Sequence, residues 1–175
     1  MANLNNLKVA AGSVVTFGGV DLGHTVDGAE IEFERSFTEV KTDLYGDTPV
    51  DYVLNGNKAT VKLKLAEITP GTLAYAIPEA DWDVGSADDQ VHFGSKAGYS
   101  LRNDALELII TPQGGNSDGN LTVTLFKAVS MEPVSVAYKI DEQSVFEVTF
   151  VALVDESRNA TDGRLLGRFG PASIS

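Results

Sequence analysis

Apolar residues recur at every second position through two stretches of the chain, 29–42 and 58–66. In the first, Ile31 and Phe33 alternate with Glu30, Glu32 and Glu34. In the second, Ala59, Val61, Leu63 and Leu65 alternate with Lys58, Thr60, Lys62 and Lys64. A period of two marks half-buried strands. The polar faces are segregated by sign, mostly acids on one segment and bases on the other. Opposite charges on neighbouring strands stabilise a pairing and fix its register. Lys58, Lys62 and Lys64 are therefore candidate cross-strand or inter-subunit partners of the three glutamates. A face this segregated points to an assembly surface and not to a catalytic pocket.

The same reading predicts further strands at 7–17, 98–102, 105–111, 120–129, 134–140 and 144–154, with a short extended piece at 164–169. Val/Ile/Thr/Phe-rich runs punctuated by Gly, Asn and Asp are the pattern of all-β domains. At Arg35, Ser36 and Phe37 the apolar face changes parity, which suggests a bulge or bend in one long strand. One short helix is expected at about 69–78. Thr69 can cap it, Pro70 fits the first helical position, Leu73, Ala76 and Ile77 form an apolar stripe, and Pro78 ends it. Residues 43–57 read as a long polar connection with an Asn55-Gly56 turn, and 112–119 and 155–163 as exposed flexible loops. No linker divides the chain, so 1–175 reads as a single domain.

Composition narrows the function. The 175 residues are 43% hydrophobic, enough for a substantial core, and carry a net charge of −12. Thirteen basic residues against 25 acidic ones argue against sequence-independent DNA binding, which relies on Lys and Arg at phosphates. There is no cysteine, hence no disulfide framework or thiolate site. The N-terminus lacks the basic-then-apolar order of a signal peptide, and no apolar run approaches a membrane span.

Catalytic chemistry finds little footing. His24 and His92 have no nucleophile elbow near them and read as surface or packing histidines. Asp81, Asp83, Asp88 and Asp89 surround Trp82 and Gly85, but their spacing is not that of a calcium loop, so a solvated acidic loop is expected. Glu30, Glu32 and Glu34 stand roughly 7 Å apart along a strand, a separation glycosidase carboxylates also use, yet Trp82 alone is a poor sugar platform. No phosphate loop or dinucleotide fingerprint is present. The expectation is no enzyme, no cofactor and no metal.

The order of segments resembles the major tail tube protein of long-tailed, siphovirus-like bacteriophages. The resemblance runs through GSVVTFGGVDLG at 12–23, the stretch at 28–69, a helix, and SVFEVTFVALVD at 144–155. Its most specific part is a charged alternating strand followed by Asp43, Gly46, Thr48, Pro49, Val50 and Asp51, an Asn-Gly pair, and a second alternating strand. The resemblance implies a β-sandwich or barrel-like subunit with one flanking helix. It implies homohexameric rings stacked into a hollow tube that conducts genomic DNA without specific binding. It also implies a virion location after synthesis in the bacterial host cytoplasm, with tape measure, tail terminator and tail tip proteins as partners. Glu30, Glu32 and Glu34 are then candidate lumen-facing residues, because an acidic wall repels DNA. Asp43, Gly46, Asp47, Pro49, Asp51 and Asn55 are a candidate inter-ring loop. The alternatives are a type VI secretion or pyocin-like tube protein, or a phage decoration or receptor-binding β-sandwich module. A binding module should carry a surface aromatic cluster.

Overall fold

The alternating stretches build a large antiparallel sheet. The computed structural model describes residues 12–85, 88–94, 96–113, 121–136 and 144–171. Its strands are β1 (Gly12–Phe17), β2 (Val20–Asp21), β3 (Thr25–Lys41), β4 (Pro49–Leu65), β5 (Asp81–Asp83), β6 (Gln90–His92), β7 (Leu106–Gln113), β8 (Val123–Ser130), β9 (Ser135–Val136), β10 (Phe146–Ala152) and β11 (Gly167–Phe169). Nine of them follow the order β2-β1-β7-β8-β10-β4-β3, with β11 added to β8 and β9 to β10; β5 and β6 form a separate hairpin. The fold is mainly β with one short α-helix.

The sheet curls until the two arms of its path approach each other. The Thr25 hydroxyl of β3 reaches the Ser13 carbonyl of β1 at 3.5 Å. The curl encloses one core cluster drawn from β1, β4, β7, β8 and β10. Val15, Val61, Leu63, Leu108, Leu125, Phe146, Val148 and Phe150 are each at most 2% exposed. Burying a side chain of this size contributes about 1.5–3 kcal/mol. The positions alternate with polar neighbours on β4 and β10, which is why one-sided burial fixes the register Phe146↔Leu65 through Val151↔Thr60.

Helix α1 (Pro70–Ala76) closes one flank. The Thr72 N–H donates to the Thr69 hydroxyl at 3.2 Å and the Thr69 N–H donates to the Thr72 hydroxyl at 2.9 Å. This reciprocal cap satisfies two backbone donors that a helix start leaves orphaned. Ala76 is buried, and Tyr75 meets the core edge-on against Phe17 at 5.7 Å.

Five sequence expectations are corrected. The long connection at 43–57 is mostly strand: β4 begins at Pro49, and only 42–48 turn the chain. Val50, Tyr52 and Leu54 already alternate there, but the Asn and Gly at 55–57 mask the pattern. The Asn55-Gly56 pair is no turn; Gly56 stands opposite Ser36 inside the ladder. The strand expected at 98–102 is instead a 3-10 turn at Leu101–Asp104. Asp104 is anchored there, accepting from the Tyr99 hydroxyl at 2.7 Å and the Glu79 N–H at 2.8 Å. The acidic loop around Trp82 contains the β5–β6 hairpin. Within 155–163, Ala160–Asp162 form a 3-10 turn. The bulge falls where the parity changes, between Ser36 and Phe37, with Asn55 of β4 as the extra residue. Parts of the segments expected at 7–17, 112–119, 120–129 and 134–140 lie outside the described residues.

Candidate assembly surface

β3 and β4 each run 17 residues and pair along their whole length, but only half of this hairpin belongs to the core of the curled sheet. β10 accompanies β4 only from Leu65 to Thr60. Beyond that point a two-stranded arm projects, and apart from Pro49 every residue from Glu32 to Lys58 is exposed. The core-facing side nevertheless continues outward. Phe33 stands opposite Ala59, Arg35 opposite Asn57, Phe37 opposite Leu54 and Glu39 opposite Tyr52. Alternate pairs share a face, so Phe33, Phe37, Leu54 and Tyr52 make an apolar stripe, each about half exposed. Val40 and Val53 add apolar area on the opposite face. β3 is also the last strand of the sheet path, so among the described residues its outer edge has no ladder partner in the arm.

The tip is a short turn. Asp43–Tyr45 form one turn of 3-10 helix, closed by the Tyr45 N–H donating to the Thr42 carbonyl at 3.1 Å. Gly46 takes φ +60 to reverse the chain, a conformation that costs glycine little. Leu44 is 82% and Tyr45 60% exposed. Of the candidate loop residues, Asp43, Gly46 and Asp47 lie at this tip, Pro49 starts β4, and Asp51 and Asn55 lie within β4. The Asn55 side-chain amide donates to the Thr38 hydroxyl at 2.7 Å, which ties the bulge across the ladder.

The charged residues meet as cross-strand pairs within one subunit. Lys62 reaches Glu32 at 3.2 Å and Lys58 reaches Glu34 at 3.7 Å. Lys64 bridges Asp27 at 3.3 Å and Glu147 of β10 at 3.6 Å. The Glu32 hydrogen bond, then its charge, raises the Lys62 pKa; Asp27 does the same for Lys64. Glu30 sits opposite Lys62 in the ladder, but the ammonium turns to Glu32. Three lysines thus serve Asp27, Glu30, Glu32, Glu34 and Glu147, and the face stays net negative.

The other face of β8 is covered by the start of 155–163, a segment expected to be an exposed flexible loop but anchored here through Asp155. Asp155, 8% exposed, accepts from the Ser157 hydroxyl at 2.8 Å and from Arg158 Nε at 3.1 Å. Arg158 then lies 3.3 Å over the ring of Phe126, leaving that ring 9% exposed. Arg102 pairs with Glu156. Alternation alone would place Phe126 outward, and nothing local to Phe126 announces its cover.

The remaining candidates stay apart. His24 is exposed beside Glu67 at 3.6 Å, and His92 is exposed in β6. Trp82 packs over Gly71 and edge-on to Tyr75 at 6.2 Å. Among the described residues no three His, Asp or Glu side chains converge to hold a metal ion, and no helix is long and apolar enough to cross a membrane. Comparison with protein-family models finds no match, and comparison with curated proteins finds none either.

Proposed function

We propose that the chain is the tail tube subunit of a non-contractile phage tail, assembling into rings that stack around a DNA conduit. The observation that supports this reading is the arm. A monomer gains nothing from holding an apolar stripe, an open strand edge and an apolar tip in water; such features mark interfaces. A second strand from a neighbouring copy would pair the β3 edge and cover the stripe. The net-negative ladder of Glu30, Glu32 and Glu34 fits a channel wall that repels DNA. A receptor-binding module is the second reading: Phe33, Phe37 and Tyr52 are an exposed aromatic cluster of the kind it needs, but they lie along an unpaired strand edge, which favours strand addition by another copy. A type VI or pyocin-like tube shares the arm argument and differs in what passes through.

Negative-stain microscopy of the concentrated chain tests the reading: rings or tubes are expected, and a strict monomer at every salt and concentration would overturn it. Replacing Glu30, Glu32 and Glu34 with Lys tests the wall. Tubes should still form while DNA delivery and infectivity fall; unchanged infectivity would place that face outside the channel.

A further inference from the structure

Two apolar surfaces lie at opposite ends of the arm, one projecting and one concave. The first is the tip, with exposed Leu44 and Tyr45 flanked by Asp43 and Asp47. The second is an open cavity of about 580 Å³ between the arm's root and the C-terminal segment. Its apolar lining includes Val154, Leu165, Leu166 and Phe169. Phe169 leans on Phe33 at 5.5 Å and props the mouth. Arg35 lines its rim; Glu34 and Lys58, also at the cavity, pair with each other at 3.7 Å, and the Arg168 guanidinium turns toward Phe126, 5.9 Å from its ring. An apolar knob flanked by acids and an apolar socket with Arg35 at its rim occur on one chain.

We propose that the tip of one copy seats in this cavity of a second copy, Leu44 and Tyr45 entering the apolar lining and Asp43 and Asp47 facing Arg35 at the rim. The proposal rests on the assembly reading above and names the partner surface for the arm. The occupant cannot be the chain's own tip. Continuous pairing from Phe33 to Lys41 holds tip and root apart, by about 30 Å at roughly 3.3 Å per residue. Knob and socket are different patches, so the contact is heterologous. Each seated copy leaves one free knob and one free socket, and the contact propagates into a ring or stack. Charge complementarity of this kind fixes orientation and speeds encounter.

Two variants test it on the full chain. Leu44→Asp with Tyr45→Asp spoils the knob; Val154→Asp with Phe169→Asp spoils the socket. All four side chains are at least 47% exposed, and circular dichroism checks that both variants fold. In sedimentation velocity each variant alone should lose higher assemblies, with association weakened about tenfold or more, as for a buried anchor. Mixed one to one, they should form heterodimers and stop, since one sound knob meets one sound socket. A thiol trap gives a second readout. The chain has no cysteine, so Tyr45→Cys and Val154→Cys proteins mixed under mild oxidant should give mainly the mixed disulfide. Equal formation of like-with-like disulfides, or no trapping, would overturn the proposal. If the wild-type chain makes tubes and the knob variant makes them equally well, the socket assignment falls while the tube reading stands. If the wild-type chain stays monomeric, both fall.

Discussion

Leu63 and Leu54 lie on the same strand and both belong to the ladder with β3, yet Leu63 is 2% exposed and Leu54 is 49% exposed. The side chain, the strand and the partner strand are the same; the surroundings differ. At Leu63 the strand β10 pairs the far edge and the curled sheet supplies an opposing layer. At Leu54 there is neither. Pairing and burial are thus separate conditions. A ladder satisfies backbone donors and acceptors along one edge, but only a second layer removes apolar area from water. A two-stranded ribbon on its own is marginally stable, so the arm inherits its order from the root and gains its cover, on the reading above, from another copy.

The largest expected effect separates the two halves outright. Excising 37–54 leaves Arg35 opposite Asn57 and closes the hairpin through Ser36, Asn55 and Gly56. A three-residue loop ending in glycine suits such a turn. The excised chain should remain folded by circular dichroism and show no assembly beyond the monomer by sedimentation. Loss of the fold would mean that the arm supports the core, and the division between root and arm would fail. Removing only one side of the ladder would be a poorer test, because it strands the partner of every deleted residue.

A matched pair of truncations sharpens the comparison. Leu63→Ala should cost about 2–5 kcal/mol, the transfer of a buried leucine plus the cavity it leaves. Leu54→Ala should stay within about 0.5 kcal/mol in the monomer, as exposed substitutions do. Urea midpoints measured on dilute protein give both numbers. Equal costs would show that the arm is packed in solution in a way that this structure does not hold.

What the residues made legible follows the same division. The root strands, the Thr69-Pro70 helix start and the bulge at Ser36 are local signals, and each falls where alternation or capping chemistry puts it. The pairing of Glu32 with Lys62 and of Glu34 with Lys58 also follows from two alternating strands of opposite charge. The outer arm was misread because Pro49, Asn55 and Gly56 are turn residues in most settings, while here one begins a strand and two sit at a bulge. Phe169 against Phe33 and Arg158 over Phe126 join segments remote in the chain, so no periodicity could report them. The arm's tip and its cavity needed the tertiary structure for the same reason.

The Asp155 turn supplies β8 with the kind of cover that the arm lacks, and acid should loosen it. The Ser157 hydroxyl, followed by its N–H, Lys127 and Arg158, lowers the Asp155 pKa below its ordinary value of 3.8. A carboxyl whose pKa is depressed on folding adds stability above its unfolded value and loses it as pH falls through the folded one. Stability should therefore decline below about pH 4. Asp155→Asn should be less stable at neutral pH and show a shallower acid dependence. An unaltered acid profile in that variant would place the acid-sensitive group elsewhere.

The smallest effect is expected from the charge ladder that joins the two halves. Lys62 and Glu32 contact at 3.2 Å with roughly half of each side chain in water. Exposed pairs contribute little, because solvent screens the attraction and both long side chains lose freedom. The raised pKa of Lys62 gives the sign: its contribution is present below the ordinary lysine value of 10.5 and disappears as pH climbs through the folded one. Lys62→Met should therefore move the urea midpoint only slightly, and that slight difference should vanish in high salt or strong alkali. Register is the more sensitive readout. Met at this position removes the only ammonium within reach of Glu32 among the described contacts, leaving the like charges of Glu30, Glu32 and Glu34 less compensated. If the ladder helps select how β3 meets β4, Lys62→Met should assemble more slowly than wild type at low salt and recover as salt rises. A variant that loses substantial stability at every salt concentration would show that Lys62 acts through packing, and the screened, register-setting role would be wrong.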